Sequence, residues 1–328
     1  MRKAASPLWL AAALVALAAL SLLVGRYPTA PFSSPWRLAA DRMGMLLVRN
    51  VRAPRILAAV MLGASLGASG CAFQMLFGNP LADPGILGVS QGAAFGASLG
   101  IVLAGGGSPA VQLLAGAFAF LGLGTSYAVA RRSRFGGWVL RLVLAGIAVS
   151  ALFSSGVGAL KIAADPVRQL PEITFWLLGG LSGASWRQVL SIAPVVSAAL
   201  ATLVAMRWRL NLLSLEDATA FSLGTAPARE RGLLLAAAVA AVASAVSISG
   251  IVSWVGLIVP QAARRLYGGD ARRSLPASAL LGAIFTLLCD DIARSALPGE
   301  IPLGIITSLA GALAFIALMN ARGTRIER

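Results

Sequence analysis

The sequence predicts an all-α, polytopic membrane protein with about ten transmembrane helices, and three observations lead to this prediction. First, 58% of its 328 residues are hydrophobic and only 12% are charged, whereas soluble domains carry about 25% charged residues. Second, the apolar residues form long runs, and a bilayer core needs roughly 20 apolar residues per spanning helix. Third, the basic residues lie between these runs and not on one solvated face. Although the net charge is +15, basic residues distributed in this way do not form a nucleic-acid-binding face. They fit a membrane protein, and we predict no nucleic-acid partner.

Ten apolar runs define the predicted spans within a single transmembrane domain, residues 1–328. They are Leu8–Gly25, Arg55–Phe77, Ile86–Leu103, Ala110–Ala130, Leu142–Ala163, Gln188–Met206, Gly232–Ser249, Ile251–Arg264, Leu275–Ile292 and Leu303–Met319. The first run follows two basic residues, as a signal peptide does. It is longer than the ~7–15-residue core of a signal peptide, so we predict an uncleaved first helix.

The basic residues also predict how the chain is oriented, because cytoplasmic loops carry an excess of Lys and Arg. With the N-terminus inside, 17 of the 27 basic residues lie on the cytoplasmic side. An even number of spans then places the C-terminus in the cytoplasm as well. Five arginines before the second span break the rule: Arg37, Arg42, Arg49, Arg52 and Arg55. They either anchor a longer loop to lipid headgroups or form a basic docking rim for an acidic partner or an anionic substrate.

Several residue types that enzymes commonly use are missing. The chain has no histidine, and Cys71 and Cys289 both lie inside apolar runs, so we predict packing roles for them and no metal site. Its only lysines, Lys3 and Lys161, do not follow a glycine-rich phosphate-binding loop, which ends in Gly-Lys-Ser/Thr. We predict no catalytic residue and no cofactor bound by this chain. Transport driven by ATP would therefore need another subunit to bind ATP and Mg²⁺.

Glycines recur at helical spacing in two of the predicted spans. Gly63 and Gly67 lie four residues apart, as do Gly92, Gly96 and Gly100. Such spacing lets helix backbones approach closely in lipid. We predict tight helix packing at these positions.

A glycine- and serine-rich stretch in the fifth run is a candidate lining for a translocation path. Its members are Ser154, Ser155, Gly156 and Gly158.

Two adjacent acidic residues, Asp290 and Asp291, lie near the outer end of the ninth run and precede Arg294. Ionisable groups at membrane depth are costly and commonly functional. Residues three or four apart share a helix face, so an internal ion pair is one interpretation. A proton relay is the other.

Two long stretches, from Arg52 to Gly96 and from Ser249 to Phe315, resemble the permeases of bacterial ABC importers for ferric siderophores, haem and cobalamin, the FecCD family. The motifs that carry the resemblance occur in the family's order. They are the Arg-x-Pro-Arg start at Arg52, the turn Asn79-Pro80-Leu81-Ala82, the segment Leu87-Gly88-Val89-Ser90 and the Gly-Leu-Ile-Val-Pro run from Gly256 to Pro260.

The resemblance implies a homodimer in the bacterial inner membrane, two cytoplasmic ATPase subunits and a substrate-binding protein that docks outside. By motif position, the docking arginines would be Arg52, Arg55 and Arg294. The implied function is a non-enzymatic permease subunit that translocates an iron chelate, either a ferric siderophore or haem. Cobalamin or an oxyanion is an alternative cargo. From a different class, an ion-coupled secondary transporter would use Asp290 or Asp291 as its titrating group.

In this family, a pair of short cytoplasmic helices contacts the ATPase, and the matching segment here is 210–224. We expect its contacts to come from Glu216, Asp217, Ala220, Leu223 and Gly224. An ordinary membrane-surface loop is the alternative.

Four residues depart from the family's pattern. Gln261 replaces a usual His, Trp254 a Phe, Glu216 a Gly and Leu313 a Pro. None of them indicates the cargo.

Overall fold

The computed structural model describes residues 8–27, 34–134, 136–297 and 299–320. The side chain of Arg37 lies outside the described part. So do both chain termini, which were predicted to be cytoplasmic. Within these ranges the chain is helical and contains no β-strand. The predicted fold class is thus confirmed.

Fifteen α-helices occur in the described ranges. They are α1 (Leu8–Ser21), α2 (Pro35–Ala40), α3 (Arg42–Leu47), α4 (Ala53–Leu76), α5 (Val89–Ala104), α6 (Pro109–Arg132), α7 (Trp138–Ala163), α8 (Gln169–Leu178), α9 (Trp186–Ala205), α10 (Arg207–Leu213), α11 (Asp217–Ser222), α12 (Pro227–Ser249), α13 (Val255–Tyr267), α14 (Ala271–Ser295) and α15 (Leu303–Asn320). A π-helical turn, Val48–Arg52, joins α3 to α4, and a 3₁₀ turn, Pro84–Leu87, precedes α5.

Each of the ten predicted runs overlaps one of these helices. Six helices are long and apolar enough to cross a membrane, namely α4 together with α3 and the π-helical turn before it, α6, α7, α9, α12 and α14. Three shorter apolar helices, α1, α5 and α15, account for three more runs. The tenth is α13, which has only 13 residues. Helices α2, α3 and α8 are short, lie between the predicted spans and were not predicted from the sequence.

Helix α4 forms the centre of the bundle. Of the 18 residues in the apolar stretch of this span, 83% are buried, whereas only 28% are buried in the corresponding stretch of α6. It packs on α14, α12, α13 and α9. Glycine makes the contact with α14 possible, because a Cβ atom at Gly63 would overlap the backbone carbonyl of Gly282, and one at Gly282 would overlap that of Gly63.

The second predicted glycine series has the same role between α5 and α6. A Cβ atom at Gly92 or Gly96 would overlap a backbone carbonyl of α6, from Phe118 and Leu114 respectively. The structure therefore confirms the prediction of tight packing at both glycine series.

Proline commonly breaks a helix, but Pro260 does not end the helix of the eighth run. The residue lies within α13, which continues to Tyr267. Proline cannot donate a backbone hydrogen bond to the carbonyl four residues earlier, which here belongs to Gly256. The side-chain Nε2 of Gln74 donates to that oxygen at 3.3 Å and to the Leu257 carbonyl at 3.0 Å. A side chain from α4 thus partly replaces the missing donor, and the helix continues.

Helix α1 begins at one end of the bundle, and the last helix, α15, ends there. Leu10 of α1 packs against Ala263 and Tyr267 of α13 and Ala277 of α14. Arg265 of α13 donates a hydrogen bond to the Leu318 carbonyl of α15. Helices α10 and α11 lie at this same end, which we call the inner end following the predicted orientation. The opposite end is called the outer end.

Candidate functional site

A buried group of charges lies at the outer end, between α4 and α14. The Arg55 guanidinium contacts the Asp290 carboxylate with three N–O distances of 3.0 Å, and its Nη1 lies 2.8 Å from Glu300 Oε1. Asp290 is fully buried and Arg55 is 5% exposed. Burying one such charge alone would be costly, whereas a paired and hydrogen-bonded charge is tolerated.

Arg294, one turn further along α14, extends this group to α1. Its Nε lies 3.8 Å from Asp290 Oδ2, and its guanidinium is also paired with Asp291. It donates to the backbone carbonyl of Ser21 at 2.6 Å, while the Ser21 hydroxyl donates to Asp291. The predicted internal ion pair is confirmed, and both carboxylates have arginine partners.

Arg52 joins the segment after α1 to the start of α4. Its Nη1 donates to the Leu22 carbonyl at 2.7 Å and its Nη2 to the Tyr27 carbonyl at 2.9 Å. Backbone carbonyls beyond a helix end lack intrahelical donors, so Arg52 supplies donors to two carbonyls of the segment that follows α1. Together with the preceding contacts, these bonds hold α1, α4 and α14 together at the outer end.

The three arginines predicted to dock a binding protein are therefore mostly buried. Arg52, Arg55 and Arg294 are 6%, 5% and 8% exposed, and each guanidinium is engaged within the chain. Two other arginines of the predicted rim, Arg42 and Arg49, are exposed. Among the described side chains of this rim, the accessible positive charge thus comes from α3 and from the π-helical turn that leads into α4.

At the inner end, segment 210–224 includes most of α10 and all of α11. Glu216, Asp217, Leu223 and Gly224 are exposed, whereas Ala220 is fully buried. Four of the five predicted contact residues are accessible, and Ala220 instead packs α11 onto the chain. The sequence interpretation missed Phe221, whose side chain is 71% exposed. A large exposed aromatic residue in a predicted partner-binding segment is a signal that could have identified it.

The inner end of α14 is attached to α10. Asn211 Nδ2 donates to Asp270 Oδ1 at 2.7 Å, and the backbone N–H of Ala271 donates to Asn211 Oδ1 at 2.9 Å. Arg272 stacks on Trp208, with its Cζ atom 3.7 Å from the ring centroid. Burial opposes ionisation of Asp270, but hydrogen bonds from Arg272 N–H and Asn211 outweigh it and lower the pKa of this carboxyl. The ionised carboxylate thus caps α14 and binds α10.

The predicted path residues lie on the surface of α7. Ser154, Ser155 and Gly158 are exposed. Gly156 instead packs against Phe95, whose ring a Cβ atom at this position would contact at 2.7 Å. Three of the four residues thus face the surroundings of the chain on one stretch of helix.

A polar group near the inner end was missed by the sequence interpretation. Besides bonding to α13, Gln74 accepts a hydrogen bond from Arg264. Gln261 donates to the Pro80 carbonyl at 3.1 Å, which ties α13 to the turn after α4. A single polar residue near the end of an apolar run was the available signal for Gln74, and its partner lies 190 positions away.

Cys71 and Cys289 are both buried, and neither forms a disulfide. This confirms their predicted packing roles.

Six helices long and apolar enough to cross a membrane, with polar groups at both ends, define a multi-pass membrane protein, and comparison with known proteins identifies its class. The FecCD transport family model matches residues 13–321. The chain is 39% identical over 276 residues to an iron chelatin transport system permease of Helicobacter pylori, covering 84% of this chain and 82% of the relative. It is 37% identical over 320 residues to the molybdate import permease MolB of Haemophilus influenzae, covering 93% and 92%.

A solved structure of a metal-chelate type ABC transporter in an inward-facing conformation has the same fold. The two chains superpose with a TM-score of 0.87 at 37% identity, covering 95% of this chain and 97% of the other. The chain therefore belongs to the FecCD transport family of bacterial inner-membrane ABC permeases.

The buried ion pair leads to a prediction about stability. Asp290→Ala removes the main partner of buried Arg55 and should lower the free energy of unfolding by about 3–5 kcal/mol. Replacing both residues with leucine should recover most of this loss, because no buried charge is then left without a partner; Glu300, which loses Arg55, is half-exposed. Denaturant unfolding of the purified protein in detergent measures both effects. Glu300→Gln is the control: its partly exposed side chain should contribute less than about 1 kcal/mol. A double variant no more stable than Asp290→Ala would contradict the prediction.

Proposed function

We propose that this chain is the permease subunit of an ATP-driven importer that translocates an iron chelate delivered by an extracytoplasmic binding protein. The observation that carries the proposal is its membership of the FecCD family over nearly the whole chain. The names of the iron chelatin permease and the metal-chelate transporter support this cargo class. The sequence has no Walker A loop, so separate ATPase subunits would bind the nucleotide, as the family implies.

We place the ATPase contact on segment 210–224. Phe221 and Leu223 expose apolar side chains there, at 71% and 53%, and apolar knobs suit insertion into a groove of a partner. The contacts from Asn211 of this segment and from Trp208 of the same helix α10 join it to α14. Movement of the ATPase subunits would therefore be transmitted to a membrane-spanning helix and not absorbed by a loose loop.

The coupling proposal predicts a loss of assembly. Phe221→Ala combined with Leu223→Ala should weaken co-purification of the cognate ATPase subunit by about tenfold or more, because central apolar anchors dominate such interfaces. The control is Leu266→Ala, since Leu266 is similarly exposed at the inner end but lies outside the segment. A complex that survives replacement of 210–224 by a Gly/Ser linker would refute the assignment.

We place the docking surface for the binding protein at the outer rim. Arg42 and Arg49 would present accessible charge, while Arg52, Arg55 and Arg294 hold the underlying helices in position. Because rim charges act mainly on association rate, the Arg42→Glu/Arg49→Glu variant should bind the protein roughly tenfold more slowly at low salt. Surface plasmon resonance measures this rate. The charge-matched control, Arg132→Glu/Arg134→Glu, alters exposed arginines at the other end. Equal effects of both variants would argue against a specific rim.

Transport itself tests the function and the cargo. Proteoliposomes that contain this chain, its ATPase subunit and its binding protein should take up a ferric siderophore or haem only when ATP is supplied. Cobalamin and molybdate complete the ligand panel, the latter because the MolB relative is named for it. Uptake of any of these driven by an ion gradient without the ATPase would instead support a secondary transporter.

A further inference from the structure

A basic cavity at the inner end borders the proposed ATPase contact through Asp217, but its arginines have no role in the function proposed above. It measures about 490 Å³ and lies where α6 ends and where α7 and α12 begin. Its charged lining consists of four arginines and one aspartate, which are Arg131, Arg141, Arg229, Arg231 and Asp217. Tyr127 and Trp138 add two aromatic side chains. The cavity therefore combines an excess of positive charge with amphipathic rings.

Most of this positive charge is not neutralised. Asp217 pairs with Arg231, but no described carboxylate forms an ion pair with Arg131, Arg141 or Arg229. Arg141 donates one hydrogen bond, to the Ser133 carbonyl at 2.8 Å. Three guanidinium groups at one cavity thus lack an anionic partner among the described residues.

The buried arginine of the cavity also has an unused donor. Arg231 is 7% exposed, and its terminal nitrogens donate to Asp217 and to the Leu213 carbonyl. Its Nε has no hydrogen-bond partner in the part of the chain that the structure describes, and neither does that of Arg141. Buried donors without acceptors are costly. A ligand with several anionic oxygens would supply acceptors, since guanidinium groups match phosphate geometry well.

The position of the cavity indicates where such a ligand comes from. It lies at the ends of three spanning helices, where Trp and Tyr commonly sit at headgroup depth. The same helix ends expose the apolar side chains of Val129, Leu140 and Leu233, which suit contact with acyl chains. Basic pockets between transmembrane helices on the cytoplasmic side bind anionic lipid headgroups in other proteins. We propose that this cavity binds the phosphate headgroup of an anionic phospholipid.

The test compares lipid retention by charge-matched variants. Arg131→Gln/Arg229→Gln neutralises two exposed residues of the cavity, and Arg132→Gln/Arg134→Gln neutralises two exposed residues outside it. Native mass spectrometry of the full chain, with phosphatidylglycerol and phosphatidylcholine of equal chain length, gives the selectivity for the anionic lipid. The cavity variant should lose about fivefold in this selectivity for each arginine, and the control should retain it.

Every other outcome overturns the proposal. Equal losses in both variants would show a general attraction of lipid to surface charge. Displacement of phosphatidylglycerol by inorganic phosphate at low concentration would identify a soluble anion as the ligand. Unchanged lipid selectivity with weaker ATPase association would assign these arginines to a protein contact.

Discussion

The close contact between α4 and α14 is the constraint on which much of the structure depends. Glycines at 63 and 282 let the two backbones touch, and this approach sets the distance across which Arg55 reaches Asp290 at the outer end. A side chain at either glycine would push the helices apart, and the buried charges would separate with them. Packing of uncharged backbone thus determines whether an ion pair in the membrane is tolerable.

The outer charge group has as many positive as negative side chains. It contains three arginines and three carboxylates: Arg52, Arg55, Arg294, Asp290, Asp291 and Glu300. Because Arg52 and Arg294 bind carbonyls near the end of α1, this first helix is attached by polar contacts at its outer end and by apolar packing of Leu10 at its inner end. A short apolar helix is thereby fixed at the periphery of the bundle without a deeply buried face.

The sequence could predict those features that depend on local composition. Apolar runs predicted the six helices long enough to span and the three shorter apolar helices, and glycine spacing predicted the two close helix contacts. The pairing of Asp291 with Arg294 followed from their separation on one helix. Arg55 with Asp290, and Gln74 with Arg264, could not be predicted in this way, because these partners are 235 and 190 residues apart. Burial of Ala220 beside exposed Phe221 likewise depends on how α11 packs, which periodicity in a six-residue helix does not specify.

Helix α14 is fastened at both ends, by Asn211 and Trp208 on one side and by Arg55 and α1 on the other. Its 25 residues extend over about 37 Å at ~1.5 Å per residue. A rigid rod of that length behaves as a lever: a tilt of about 3° moves its far end by roughly 2 Å. A displacement of that size exceeds the tolerance of the hydrogen bonds at the far end. A small rotation of α10 would therefore force the outer charges either to move together or to exchange partners.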